Sequence, residues 1–156
     1  MDQIQEHRER LAHVQERLRH RFGTPTWHVE LPAVDELVCT ILSQNTNDVN
    51  RDKAFQALKE RYPSWEAVRD ADPAELQFVI RIAGLASQKG PNIQAALRDI
   101  TAERGEIALD WLKDIDPEDA REWLVKLRGV GPKTAAIVMV FALGMSTPDS
   151  MMLVQI

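Results

Sequence analysis

One lysine stands out by its setting. In LRGVGPKTAAIVMVFALG, residues 127–144, Lys133 lies between a Gly-Val-Gly turn and an uncharged run that lasts to Gly144. The positive end of a helix and apolar surroundings both disfavour an ammonium ion, so an amine here spends part of its time neutral. A neutral amine is a nucleophile, and amine nucleophiles form Schiff bases with carbonyl-like carbons. The plainer alternative is a lysine that snorkels to water and meets an anion as a simple cation. The turn before it has chemistry of its own. Gly129 and Gly131 permit backbone angles that a Cβ forbids, and Pro132 pre-sets the first helical position. Bare backbone N–H groups beside a helix start suit a phosphate. A tight structural turn explains the same glycines without any ligand.

The elements that must position these residues read as helices throughout. Ile4, Leu11, Val14, Leu18 and Phe22 form one stripe on a charge-laced segment, residues 2–21. GTPTWHVELP, residues 23–32, reads as a loop. Asp35 is a candidate start for the apolar helix ELVCTILSQ, and NTND after it reads as a turn rich in capping residues. A helix over VNRDKAFQALKERY stops at Pro63. Ser64, Asp72-Pro73 and Asp116-Pro117 mark three further helix starts, and Gly84 and Gly105 mark stops. PNIQAALRDITAERG is helical from Pro91. The last helix runs from Lys133 to Leu143. No alternation of strand period lasts beyond four residues. The expected fold is all-α, a compact multi-helix bundle, with Ala135–Leu143 at its centre.

Composition bounds the possibilities. The chain has 156 residues, 44% hydrophobic and 28% charged, which fits one globular domain. Its single cysteine, Cys39, excludes an internal disulfide or a cysteine-built metal cage within this chain. The longest apolar run, Ala135–Leu143, is too short to span a bilayer, so no membrane partner is expected. A net charge of −5 argues against a protein that coats nucleic acid indiscriminately, though a local basic patch remains compatible with it.

The glycine turn between two helices is a helix-hairpin-helix, a device that holds a DNA backbone without reading its sequence. LRGVGPKTAAIV resembles that motif in the endonuclease III superfamily of DNA glycosylases. ILSQNTNDVNRDKA, residues 41–54, resembles a second family segment, and IRIAGLASQKGPNI, residues 80–93, a third, in the same order. The resemblance implies DNA base-excision repair: a glycosylase and AP lyase acting on damaged or mismatched bases in duplex DNA. It implies that Lys133 attacks the sugar C1′ and that Gly129, Val130, Gly131 and Thr134 belong to the DNA-holding hairpin. Asn45 falls where relatives usually carry a glutamine that fills the gap left by a flipped base, with Gln44 as a neighbour able to serve; helix capping is the plainer account of both. Lys89 is a candidate phosphate contact or simply a solvated lysine. The implied setting is cytoplasmic, nucleoid-associated and prokaryotic.

The chain also departs from the pattern. The family aspartate expected 18 residues beyond the lysine is replaced by Met151, and Asp149 stands two residues early. A carboxylate there stabilises the cationic sugar that develops as the base leaves. The four cysteines that hold a [4Fe–4S] cluster in most members are absent from this chain, so no cofactor is expected. The expected organisation is an N-terminal amphipathic helix, 1–22, belonging to an incomplete second, iron–sulfur domain; a glycosylase-like helical domain, 31–144; and a divergent tail, 145–156. The chain thus reads as a C-terminally truncated member. A non-catalytic DNA-binding module and an inactive gene remnant remain as alternatives. The aliphatic stripe on 1–22 is expected to pair with a second copy of the chain.

Overall fold

The computed structural model describes residues 2–24 and 31–145, and the described residues are helical and contain no strand. Eight α-helices occur in order: α1 (Asp2–Phe22), α2 (Ala33–Ser43), α3 (Asp48–Arg61), α4 (Trp65–Asp70), α5 (Pro73–Val79), α6 (Ala86–Arg104), α7 (Pro117–Lys126) and α8 (Pro132–Ile137). Single 3₁₀ segments, Arg81–Ala83 and Asp110–Asp114, follow α5 and precede α7. Among the described residues, no helix is long and apolar enough to cross a membrane.

Local chemistry sets most of the boundaries. The side chains of Asn47, Ser64, Asp72 and Asp116 accept hydrogen bonds from the backbone N–H groups of Asn50, Ala67, Glu75 and Glu118, and so cap α3, α4, α5 and α7. Two helices begin earlier than the sequence pattern implies. α2 starts at Ala33 after Pro32, because Asp35 is not its cap. The Asp35 carboxylate instead accepts from Trp65 Nε1 at 2.8 Å and from Lys59 Nζ at 3.1 Å, tying α2 to α3 and α4. α6 starts at Ala86 and carries Pro91 inside it, so Lys89 sits in the helix and not in a loop before it.

The core is built around α2, α6 and α8. Leu37, Ile41, Leu42, Ile93, Leu97, Ile100, Val138 and Met139 are fully shielded from solvent, and each such large side chain contributes roughly 1.5–3 kcal/mol by burial. α8 passes directly into π-helical turns over Val138–Ala142, with Leu143 N–H donating to Val138 O at 3.1 Å. This segment is central, as expected, but not enclosed on all sides: Phe141 remains 40% exposed.

The N-terminal stripe takes no cover from the described bundle. Leu11, Val14, Leu18 and Phe22 are all at least half exposed, and the side chain of Ile4 lies outside the described residues. Asp149 and Met151 also lie outside them.

Candidate active site and DNA interface

The hairpin between α7 and α8 is anchored by its aliphatic residues and exposes its backbone. Leu127 and Val130 are buried, and Val130 N–H donates to Leu127 O at 3.1 Å, closing the turn. That bond corrects one expectation: the Val130 amide is engaged inside the turn, so it is not a bare donor for a phosphate. Gly131 caps α8 through its backbone, with its carbonyl accepting from Ala135 N–H at 3.0 Å.

The two glycines differ in their surroundings. Gly129 has φ +81°, and a Cβ there would lie 2.7 Å from Asn92 Nδ2 and 2.8 Å from Asn92 Cβ. Conformation and packing both demand glycine at this position. Gly131 has φ −93°, which any residue adopts, and a Cβ there would meet no atom within 4 Å. The expectation that both glycines serve a forbidden backbone angle is therefore corrected for Gly131. Nothing among the described residues needs glycine there; an external group approaching the backbone closely would.

α2 ends against this hairpin. Gln44, the residue after α2, donates from Nε2 to Gly129 O at 3.0 Å across 85 residues of sequence. Capping of the following helix falls to Asn47, not to Gln44 or Asn45. Asn45 is exposed and held at φ +52°. Only two non-glycine residues among those described have positive φ, and the other is Leu85, φ +49° and 45% exposed. Backbone held in this region costs about 1–3 kcal/mol and collects at functional sites. Sequence reasoning did not single out Leu85; its one signal is the position directly after the Gly84 turn.

Between the α2 end and α8 lies an open cleft of about 370 Å³. Thr40, Ser43, Gln44 and Asn45 form one wall, and Lys133, Thr134 and Ile137 form the other. Lys133 is exposed, in the first turn of α8, and is the only ionisable side chain in the lining among the described residues. Among the described residues the apolar enclosure expected around it is not found: the groups facing it across the cleft are hydroxyls and carboxamides. Thr134 is buried beneath it, and Thr40 is fixed by donating from Oγ1 to Glu36 Oε1 at 3.2 Å. Arg128, in the hairpin itself, adds a second exposed cation that the sequence reading left unassigned.

Lys89 is elsewhere, and in a different state from either expected one. It is only 2% exposed, and Nζ donates to Leu42 O and to Ala83 O, both at 2.7 Å. It neither reaches a phosphate nor lies in solvent. Its burial pushes the ammonium pKa down.

Cys39 is half-buried in α2, and burial pushes its thiol up to about 11. One protonated thiol is not a ligand set for an iron–sulfur cluster.

Comparison with known proteins agrees with this geometry. The chain is 34% identical to endonuclease III of Thermotoga maritima over 74% of its own length and 50% of that protein's. It is 37% identical to endonuclease III of Synechocystis over 71% of its length and 47% of that protein's. It thus spans about half the length of these relatives. A plant relative, DNA glycosylase/AP lyase ROS1 of Arabidopsis thaliana, is 33% identical over 51% of this chain and 6% of its own. In three dimensions the chain is similar to endonuclease III in a trapped covalent DNA intermediate (TM-score 0.65, 25% identity, 87% of this chain and 60% of that one). Residues 38–149, which hold the hairpin, the cleft and the buried lysine, match the HhH-GPD superfamily of base excision DNA repair proteins, and the chain belongs to that family.

Proposed function

We propose that this chain is the hairpin-bearing part of a base-excision repair glycosylase with AP-lyase chemistry on duplex DNA. The observation that carries the proposal is the cleft that sets Lys133 opposite the Gln44–Asn45 turn. A nucleophilic amine and a polar gap-filler must stand on one side of the duplex if a nucleotide is to be extruded and attacked. The Gly131 backbone and Arg128 hold the phosphate chain next to it. Asn45, free of the bond that occupies Gln44, fills the space that the flipped nucleotide leaves. Leu85 acts beside it as an apolar wedge between bases.

The chemistry follows from the amine. The Lys133 amine attacks C1′ of the ring-opened abasic sugar; an N–C bond forms, water departs, and an iminium ion results. That cation acidifies the C2′ proton. A base removes it, the C3′–O bond breaks, and the 3′ phosphate leaves with the electron pair. Removing an intact base is more demanding, because a carboxylate must stabilise the developing sugar cation. Asp149 is our candidate for it. The trapped covalent DNA intermediate of endonuclease III, a relative at 25% identity, supports a covalent step.

Acting on DNA places the protein with the chromosome, which in a prokaryote is the nucleoid. α1, exposed along its described side chains, is assigned to a second lobe and to pairing between copies of the chain. Borohydride trapping on a duplex with one abasic site tests the central claim. The unaltered chain should give a stable protein–DNA adduct and Lys133→Gln should give none. An adduct of equal yield from Lys133→Gln would refute the role of Lys133. Salt-dependent binding to the duplex with no adduct from either protein would make the chain a binding module only.

A further inference from the structure

We propose that Lys89 is a positioning residue that locks the Gln44–Asn45 turn and the Gly84–Leu85 turn into one rigid unit, so that both enter the DNA together. The proposal rests on the functional reading above and extends it to a residue that never touches DNA. Leu42 lies in the last turn of α2, and Ala83 ends the 3₁₀ segment before Gly84. Carbonyls at helix ends lack partners within the helix and carry the negative end of its dipole. The Lys89 ammonium bonds one carbonyl from each end, both at 2.7 Å, and bridges 47 residues of sequence to the first. The Lys89 backbone N–H donates to Leu85 O at 2.9 Å, so the same residue also holds the strained leucine.

Among the described residues, no carboxylate pairs with it; both partners of Nζ are backbone carbonyls. Next to it, Gly90 lets α6 approach α5 so closely that a Cβ would sit 3.1 Å from Gln77 Cγ. A buried cation without a counter-ion is costly. The two turns it joins are those that carry Asn45 and Leu85, the two positive-φ non-glycine residues. A strained turn persists only where its surroundings over-determine it, and Lys89 supplies that constraint to both.

The test compares affinity for a duplex carrying a tetrahydrofuran abasic analogue with affinity for the same duplex intact. The unaltered chain should prefer the analogue. Lys89→Met, similar in length but without donors, should lose roughly tenfold of that preference, as expected when gap-filling groups are misplaced. Its affinity for intact duplex, which depends on the hairpin, should stay within about twofold. A purely structural lysine would lower the melting temperature and leave the preference unchanged, and that result overturns the proposal. No preference in the unaltered chain would refute the functional reading and the proposal with it. If Lys89→Met does not fold, amide exchange in the unaltered chain decides. Thr46 N–H donates to Ser43 O in one turn and Gly84 N–H to Arg81 O in the other. A locked unit opens as one, so their protection factors should agree within about threefold, and a difference beyond roughly tenfold overturns the proposal.

Discussion

Gly129 and Gly131 are two residues apart, yet alanine should act on them in opposite ways. At Gly129, φ +81° places an L-residue in the left-handed region, at about 1–2 kcal/mol. The new Cβ would also stand 2.8 Å from Asn92 Cβ, an atom fixed to the α6 backbone that cannot rotate away. Relieving such an overlap costs about 1–3 kcal/mol. The sum, roughly 2–5 kcal/mol, is a large share of the 5–15 kcal/mol that holds a typical domain folded. At about 2–4 °C per kcal/mol for a chain of this size, Gly129→Ala should lower Tm by roughly 4–20 °C. At Gly131, φ is −93° and the space is open, so Gly131→Ala should leave Tm unchanged or slightly raised. Its effect should appear only with DNA, where a methyl group obstructs the approach of phosphate to the backbone, and it should weaken binding to duplex of any sequence. Calorimetry and fluorescence anisotropy, on duplexes of several sequences at fixed salt, separate the two effects. Equal loss of Tm in both variants would refute the distinction. So would a Gly131→Ala or Gly131→Val protein that binds duplex as tightly as the unaltered chain.

Other consequences can be checked independently. Val138 is fully buried, so Val138→Asp should abolish the cooperative melt, because an unpaired buried charge has no compensating partner; an unchanged Tm would displace the π-helical segment Val138–Ala142 from the core. Gln44→Ala removes the bond to Gly129 O and should cost about 0.5–1.5 kcal/mol in urea unfolding, with slower trapping on abasic DNA as the hairpin loosens. The raised Cys39 pKa, about 11, leaves roughly a hundredfold less thiolate near pH 8 than an ordinary cysteine has, so iodoacetamide should modify the native protein far more slowly than the unfolded one. The sign of the linkage agrees: stability from keeping this thiol protonated is complete below the unfolded pKa and is lost as pH rises from there through about 11. Finally, Leu11 and Leu18 are 64% and 51% exposed; if their stripe pairs two copies, Leu11→Glu with Leu18→Glu should halve the mass seen by light scattering, and an unchanged monomer mass in both proteins would refute pairing.

The sequence by itself carried much of what depends on near neighbours. Ser64, Asp72 and Asp116 disclosed helix starts because a cap is a bond across two or three residues. The hairpin, with Pro132 opening α8, was legible for the same reason, and the uncharged run after Lys133 marked a core segment. The tertiary structure alone decided what depends on distant partners. It placed Gln44 on Gly129 across 85 residues and buried Lys89 between two helix ends. It assigned Asp35 to Trp65 and Lys59 instead of to its own helix start. It separated Gly129, where Asn92 would crowd a Cβ, from Gly131, where a Cβ would meet no described atom within 4 Å. A lysine or a glycine looks the same in sequence whether it faces solvent, a carbonyl or an incoming phosphate. Which of these it meets is set by how the helices pack, because burial and long-range hydrogen bonds are properties of the assembled chain and not of its local spacing.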